Sequence, residues 1–193
     1  MRCRLVGSEM CIRDSAGTLR KTKQLNKNKA LTFFRRNEKE TKEHNMIVDM
    51  ERNDLSKICK TGSVKIDKLK KVEEYRDLFH YVTTIKGVIK NKMSNHDIIS
   101  SLMPGGSVIG CPKISTIQLL NRKEKFDRNI YTGSFGIIHS NGDMRFNIMI
   151  RTLLNFKNDI ELSVASGVIL GSTAKKEYNE NYIKAKSLLD LFN

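Results

Sequence analysis

The sequence predicts a domain built from both helices and strands, and three stretches of the chain indicate it. Residues 37–58 carry apolar side chains at helical intervals behind an acidic first turn. Residues 131–154 contain two apolar runs joined by Asn141-Gly142-Asp143, a strong signal for a β-hairpin. Between these stretches, residues 102–115 hold both prolines of the chain and three of its glycines, so the backbone must turn sharply there.

The composition predicts a soluble globular protein with a basic surface. The 193 residues are 39% hydrophobic and 29% charged, and the formal net charge is +14. No apolar run approaches the roughly 20 residues needed to cross a bilayer, and there is no secretory pattern. We therefore expect a cytoplasmic protein without a membrane partner. The four cysteines lack metal-ligand spacing, so we expect reduced thiols.

The excess of positive charge has two interpretations. The basic stretch 19–29 could contact nucleic-acid phosphates, which would make the chain a non-catalytic binding fragment. However, this stretch has no interleaved aromatic residues, and the chain contains no recognisable nucleic-acid-binding module. We disfavour nucleic acid as a partner and favour the attraction of an anionic metabolite.

The turn-rich stretch is a candidate anion-binding loop. Gly105, Gly106 and Gly110 lack a Cβ atom, so backbone N–H groups there could approach a ligand closely. Lys113 adds a positive charge, and the apolar residues that follow it predict a helix whose N-terminus faces the loop. The alternative interpretation is a tight turn before a helix, without a ligand.

Two predicted helices each carry a pair of carboxylates on one face. Glu40 and Glu43 lie three residues apart in the first helix, and Glu177 and Glu180 have the same spacing in a helix predicted over 174–192. Lys184 continues the second stripe one turn later. Solvated turns and ordinary Glu–Lys pairs are the structural alternatives.

Three other side chains are candidates for a binding pocket. His80 begins a strand predicted from its β-branched residues, where a lone histidine is usually a partly buried structural residue. Arg151 is expected on a buried strand between hydrophobic residues, where it needs an anionic partner. That partner is either a ligand carboxylate, to which Tyr131 would also donate, or an Asp or Glu of the chain.

These motifs together resemble those of the chorismate-binding enzymes. That family includes anthranilate synthase component I, aminodeoxychorismate synthase component I, and the isochorismate and salicylate synthases. The similar stretches occur in the family's order from Ala16 to the C-terminus: AGT (16–18), KETKEHNMIVDMERNDL (39–55), VEEYRDLFHYVTTIKG (72–87), PGGSVIGCPK (104–113), the Tyr131–Thr152 pattern, and Glu177, Glu180 and Lys184. Where the family has G-A-G, only the last glycine, Gly167, is kept.

The resemblance implies an α+β fold, a partial chorismate-binding domain in which antiparallel sheets pack between helices. It implies Mg²⁺ bound by the two pairs Glu40 and Glu43, Glu177 and Glu180. It implies catalytic roles for His80 and Glu40. It also implies that chorismate is bound by the following residues: Gly17, Thr18, Gly105, Gly106, Ser107, Tyr131, Arg151, Gly167 and Lys184.

Residues 1–15 match none of these motifs. The segment SEMCIRDS looks like a translated sequencing adapter, so we interpret residues 1–15 as a non-native leader and leave them out of the fold. Residues 16–193 then represent the C-terminal part of a catalytic domain whose natural chain begins further upstream. Because strands would be missing, we expect the isolated chain to expose apolar faces and to be unstable and inactive.

The resemblance favours one reaction among several. PGGS at 104–107 is closer to aminodeoxychorismate synthase component I, which aminates chorismate to 4-amino-4-deoxychorismate for folate biosynthesis with ammonia from a glutamine amidotransferase subunit. Against this, Ala16 stands where those enzymes typically carry a nucleophilic lysine, and Ile109 replaces a hydroxyl residue. Anthranilate synthase component I, in tryptophan biosynthesis, is the next alternative, and isochorismate or salicylate synthase follows.

Overall fold

The computed structural model describes residues 1–76, 78–156 and 159–192 of the chain. The strands of this part are β1 (Arg2–Val6), β2 (Glu9–Arg20), β3 (Lys65–Glu74), β4 (Leu78–Val88), β5 (Ser134–Ile138), β6 (Met144–Ile148), β7 (Leu153–Phe156) and β8 (Asp159–Leu162). The helices are α1 (Lys27–Arg36), α2 (Glu38–Ile58), α3 (Asn95–Leu102), α4 (Gly106–Ile109), α5 (Lys113–Lys123) and α6 (Ala174–Leu189).

The strands form one large sheet and one separate hairpin. The order in the six-stranded sheet is β3-β4-β2-β1-β6-β5, and β7 pairs only with β8. Every pairing is antiparallel. The predicted combination of helices with antiparallel sheets is therefore confirmed.

Residues 1–15 lie at the centre of the large sheet, and leaving them out of the fold was wrong. β1 pairs with β2 on one side and with β6 on the other. Alternate side chains of this segment point into the core, where Cys3, Leu5, Met10 and Ile12 are buried. Period-two alternation and pairing partners on both sides are sufficient to place this segment in the middle of the sheet. The interpretation of residues 1–15 as a non-native leader stays a prediction.

The core lies between the sheet and helices α2 and α3. The larger cluster joins Leu55 and Ile58 of α2 to strand residues such as Met10 and Ile85. A second cluster forms under α1, where the rings of Phe34 and Tyr81 stack with centroids 4.9 Å apart. These contacts fix α2 across the sheet, and α2 carries the first pair of predicted carboxylates.

Three sequence-based elements are confirmed closely. The helix predicted over 37–58 is α2, which begins after Asn37, the N-cap whose side chain accepts the N–H of Glu40. The predicted strand around His80 is β4. The hairpin is β5–β6, with Gly142 in the left-handed region at φ +88°. Local periodicity and turn chemistry were sufficient for all three.

Two other segments differ more from expectation. The strand predicted over 160–172 is confined to β8 and ends at Leu162. The predicted helix after the glycine-rich loop is α5, but none of its residues is buried. None of the helices in the described part of the chain is long and apolar enough to span a membrane.

Candidate active site

The first turns of α2 present Glu40 and Glu43 on one face, and both side chains are half-buried. The Asn37 side-chain oxygen accepts a hydrogen bond from the Glu40 N–H at 3.2 Å, which fixes the start of the helix. Each carboxylate lies against a glycine from another part of the chain. A Cβ on Gly17 would lie 2.7 Å from Oε2 of Glu40, and a Cβ on Gly167 would lie 3.4 Å from Oε1 of Glu43.

Gly17 is required at its position for two reasons. Its φ of +89° lies in the left-handed region that side chains rarely adopt. Any Cβ there would also collide with Glu40 and would lie 2.8 Å from Cε1 of Phe34. The glycine of the AGT motif therefore lets the β2 backbone approach the α2 carboxylate.

Helix α6 places its polar stripe against the start of α2. Lys39 of α2 donates to Oε1 of Glu177 at 3.0 Å, across 138 residues of sequence. Lys184 pairs with Glu180 at 2.8 Å and donates to the Ala165 carbonyl oxygen at 3.3 Å. One ion pair between distant parts of the chain, Lys39–Glu177, thus joins the helices that carry the two predicted carboxylate pairs.

Burial and the charges of neighbouring carboxylates both shift the pKa values at this site. Burial raises the pKa of Glu40, and the charge of Glu180 raises it further. Burial also raises the pKa of Glu43, followed by the charges of Glu40 and Glu180. Glu177 behaves oppositely, since a hydrogen bond from Ser172 and then the pairing with Lys39 lower its pKa. Glu40 and Glu43 therefore carry raised pKa values beside two α6 carboxylates that are paired with lysines, and such a group of acids favours the approach of a cation.

The residues predicted to bind Mg²⁺ have suitable donor atoms, but these atoms are not arranged around one point. Carboxylate oxygens are the donors that this ion prefers. However, no group of three or more His, Cys, Asp or Glu side chains among the described residues is arranged to hold a metal ion. Instead, Lys39 forms an ion pair with Glu177, and Lys184 forms one with Glu180. The donor chemistry therefore fits Mg²⁺, while the two α6 carboxylates are paired with lysines in this structure.

His80 and Thr18 face each other across β4 and β2. Their Cα atoms are paired in the sheet, and Nδ1 of His80 lies 3.1 Å from Oγ1 of Thr18. Burial lowers the pKa of His80, and the positive charge of Arg151 lowers it further. The imidazole is therefore neutral near pH 7 and can accept a proton.

The expectation of a buried Arg151 on a strand is wrong. β6 ends at Ile148, and the N–H of Ile150 bonds to the Ile148 carbonyl instead of continuing the sheet ladder. Arg151 then lies in a bend with φ +51°, and its side chain is exposed. Its charge still acts on His80, so the guanidinium stands at the edge of the site and not beneath it.

Tyr131 reaches the segment that also contacts Lys184. The backbone of Ala165 hydrogen-bonds to its hydroxyl, while burial is the largest effect on the Tyr131 pKa and raises it. The Arg128 guanidinium lies 6.0 Å from the centre of the Tyr131 ring. Tyr131 and Lys184 thus both contact Ala165, two residues before Gly167.

The glycine-rich loop lies at the other end of α2. A Cβ on Gly106 would lie 3.2 Å from Cβ of Met50, and a Cβ on Gly105 would lie 3.0 Å from Cε of Met1. Gly106 therefore approaches the second half of α2, while Glu43 lies in its first turns. Glu43 and Asp54 are 11 residues apart on this helix, which is about 16 Å at 1.5 Å per residue. The structure does not bring Gly105, Gly106 and Ser107 next to the carboxylate pairs.

Several important contacts were missed from the sequence. Lys39 was given no role in the sequence analysis, yet it bridges α2 and α6. Lys113 was interpreted as a charge for the anion-binding loop, yet it pairs with Asp54 at 2.7 Å. Ser172 acts on Glu177 and carried no signal at all. The two lysine pairings join residues 138 and 59 positions apart, so local patterns could not indicate them.

Comparisons with known proteins identify the family of the chain. The family model described as chorismate binding enzyme matches residues 9–190. An anthranilate synthase component I-like protein of Synechocystis is 36% identical over 187 residues, which is 96% of this chain and 39% of that protein. Aminodeoxychorismate synthase component 1 of Bacillus subtilis is 38% identical over 149 residues, 77% of this chain and 32% of its own length.

Solved structures show the same relationship. Anthranilate synthase component I from Streptococcus pneumoniae superposes with a TM-score of 0.79 at 32% sequence identity. The match covers 96% of this chain and 41% of that structure. The chain therefore spans less than half the length of each of these three relatives. With the family model matching nearly its whole length, the chain belongs to the chorismate binding enzymes.

Proposed function

We propose that this chain supplies part of the active site of a chorismate-utilising synthase. The observation that supports it most is the convergence of Glu40, Glu43 and Glu180 from two helices distant in sequence. Gly17 and Gly167 approach the same carboxylates. Such a cluster of partly buried acids has no evident structural purpose, whereas perturbed carboxylates in a group are typical of functional sites.

The residues divide into two binding functions. Glu40, Glu43, Glu177 and Glu180 would hold Mg²⁺, which supplies a positive charge for one carboxylate of chorismate. Lys184, Tyr131 and the backbone N–H of Gly167 would bind the other carboxylate, with Arg151 closing from the edge. Gly105, Gly106 and Ser107 would bind chorismate from the far end of α2.

His80 would act as the general acid or base that transfers a proton to the departing group or from the attacking group. Its neutral imidazole can protonate the departing hydroxyl only after taking up a proton, or it can accept a proton from the attacking group. Thr18 would fix the ring orientation through Nδ1, at 3.1 Å. We propose amination to 4-amino-4-deoxychorismate, with ammonia from a glutamine amidotransferase subunit in the cytoplasm.

Formation of anthranilate is the second candidate. The anthranilate synthase component I-like relative aligns with 96% of this chain, against 77% for the aminodeoxychorismate synthase. The Ala16 position, where a lysine is typical of the aminodeoxychorismate enzymes, points the same way. The two candidates differ in product and not in the carboxylate site.

The binding test uses the chain itself. Titration calorimetry with chorismate should show binding that requires Mg²⁺, and Glu40→Gln should abolish it. Glu38→Gln is the matched control, because Glu38 lies in the same turn but is exposed and pairs only with Lys42 among the contacts described. Binding that persists in Glu40→Gln, or that ignores Mg²⁺, would contradict the proposed site.

The reaction is tested in a longer protein. Replacing the aligned segment of the Bacillus subtilis relative by this chain gives a chimera that can be supplied with ammonia and chorismate. We expect aminodeoxychorismate by chromatography. Anthranilate as the product would support the second candidate instead.

A further inference from the structure

Asp54 is a buried carboxylate held by two lysines. Only 3% of its side chain is exposed. Lys57, one turn further along α2, contacts Oδ1 at 2.8 Å, and Lys113 contacts Oδ2 at 2.7 Å. Lys57 belongs to the same helix, whereas Lys113 is the first residue of α5 and is 59 residues away. The second contact therefore joins two separate parts of the fold.

The glycine-rich loop between these parts rests on the same face of α2. A Cβ on Gly106 would lie 3.2 Å from Cβ of Met50 and 3.7 Å from Oδ2 of Asp54. Gly106 and Lys113 thus contact α2 within one turn of each other, at the two ends of the loop. Residues 107–112 span between these two attachment points.

Apolar packing does not hold the far end of the loop. No residue of α5 is buried, and Ile114 is 74% exposed. The Lys113 side chain, by contrast, is only 20% exposed. A charged contact to a buried carboxylate is then the main attachment of the α5 N-terminus to α2.

The surroundings of Asp54 make this contact more important. Glu51 lies one turn earlier and is buried, and burial followed by the charges of Asp14 and Asp54 raises its pKa to about 8. Burial therefore favours the protonated form of Glu51, and the carboxylate that Lys113 contacts is that of Asp54. Removing one partner of a buried pair leaves an uncompensated charge, which is strongly unfavourable.

We propose that Asp54 and Lys113 form a positioning clamp that sets the glycine-rich loop at a fixed place along α2. Because α2 also carries Glu40 and Glu43, the clamp fixes the distance between the loop and the carboxylates. The functional part of this inference rests on the proposed chorismate site, but the clamp itself does not. Because the two side chains contact each other, we assign both as positioning residues.

Hydrogen exchange of two loop amides tests the clamp directly. The N–H groups of Val108 and Gly110 bond to the carbonyls of Gly105 and Gly106 at 3.2 and 2.8 Å. In Asp54→Asn and Lys113→Met we expect these amides to exchange about tenfold faster, the loss expected for one hydrogen bond to a charged group. Lys113→Arg should retain protection, since the positive charge is kept.

A substitution elsewhere on α2 provides the control for the exchange experiment. Asp49→Asn removes an exposed carboxylate of the same helix that pairs with Arg52, and it should leave the loop unchanged. Unchanged loop exchange in both clamp variants would overturn the proposal. Equal acceleration in β1–β4 would also overturn it, because that result means general unfolding.

Kinetics in the chimera separate positioning from chemistry. Asp54→Asn should raise KM for chorismate with little change in kcat, as expected when ground-state and transition-state binding weaken together. A lowered kcat at unchanged KM would overturn the positioning role. Failure of the chimera to act on chorismate would count against the proposed function alone, since the exchange experiment needs no substrate.

Discussion

The two halves of the chain bury their apolar side chains very differently. Both large core clusters are built from residues 3–102, and Met144 is their only later member among the described residues. The second half instead exposes large apolar side chains on its loops, strands and helices. Those most exposed are Ile114, Phe126, Phe135, Val168, Leu170, Tyr178 and Ile183.

This difference in packing separates the two helices that carry the candidate site, α2 and α6. α2 carries Glu40 and Glu43 and is fixed by the core at Leu55 and Ile58. α6 carries the other carboxylates, but Glu177 and Ala185 are its only buried residues in the described part of the helix. The Lys39–Glu177 ion pair joins it to α2. One side of the site is therefore built on the packed core, and the other depends on a charged contact beside exposed apolar side chains.

The largest effect is expected from truncation in the first half. Leu55 is fully buried, so Leu55→Ala should lower the free energy of unfolding by about 2–5 kcal/mol. Leu119 on α5 is 53% exposed, and Leu119→Ala should change it by less than about 0.5 kcal/mol. Urea denaturation followed by circular dichroism measures both. An equal loss of unfolding free energy in the two variants would contradict the difference in packing between the two halves.

The next effect is a pH dependence of the first half. Burial raises the pKa of Glu51 from 4.5 to about 8, so the folded chain holds an extra proton between these pH values. The free energy of unfolding should therefore fall as pH rises through this range, by at most about 1.4 kcal/mol per pH unit.

Glu51→Gln should reduce that slope in urea denaturation at several pH values. A weaker slope of the same sign should remain, because the pKa values of Glu40 and Glu43 are also raised. Glu38→Gln, at an exposed position of the same helix, should leave the slope as it is. An unchanged slope in Glu51→Gln would contradict a protonated Glu51.

The two carboxylate helices should also differ at their N-caps. Asn37 accepts a backbone hydrogen bond at the start of α2, so Asn37→Ala should cost about 1 kcal/mol of unfolding free energy. Thr173 at the start of α6 makes no side-chain capping bond, and Thr173→Ala should cost clearly less. Thermal unfolding of the two variants compares them. The reverse order would contradict the assigned caps.

The smallest effect on stability is expected at the surface of α6. The Glu180–Lys184 pair is a partly exposed i,i+4 contact, so Lys184→Met should change the unfolding free energy by about 0.3–0.5 kcal/mol. Chorismate binding by calorimetry should nevertheless weaken strongly. Lys186→Met removes a similar pair with Asp190 and should affect neither binding nor stability appreciably. Equal binding in both variants would remove Lys184 from the site.

The sequence by itself determined the elements whose causes are local. The helical spacing of Ile47, Met50 and Leu55 and the cap at Asn37 specify α2, because each interaction spans at most a few residues. The turn at Asn141-Gly142 specifies its hairpin for the same reason. The motif order also indicated the family, including the spacing of both carboxylate pairs.

Only the tertiary structure decided which charges meet and which segments complete the sheet. Residues 1–15 became central strands because β4 and β6 offered free edges on both sides. Arg151 left its expected strand because β6 ends at Ile148. Lys39 pairs with Glu177, and Lys113 with Asp54. Such contacts depend on the packing of distant elements, and no periodic pattern along the chain encodes that packing.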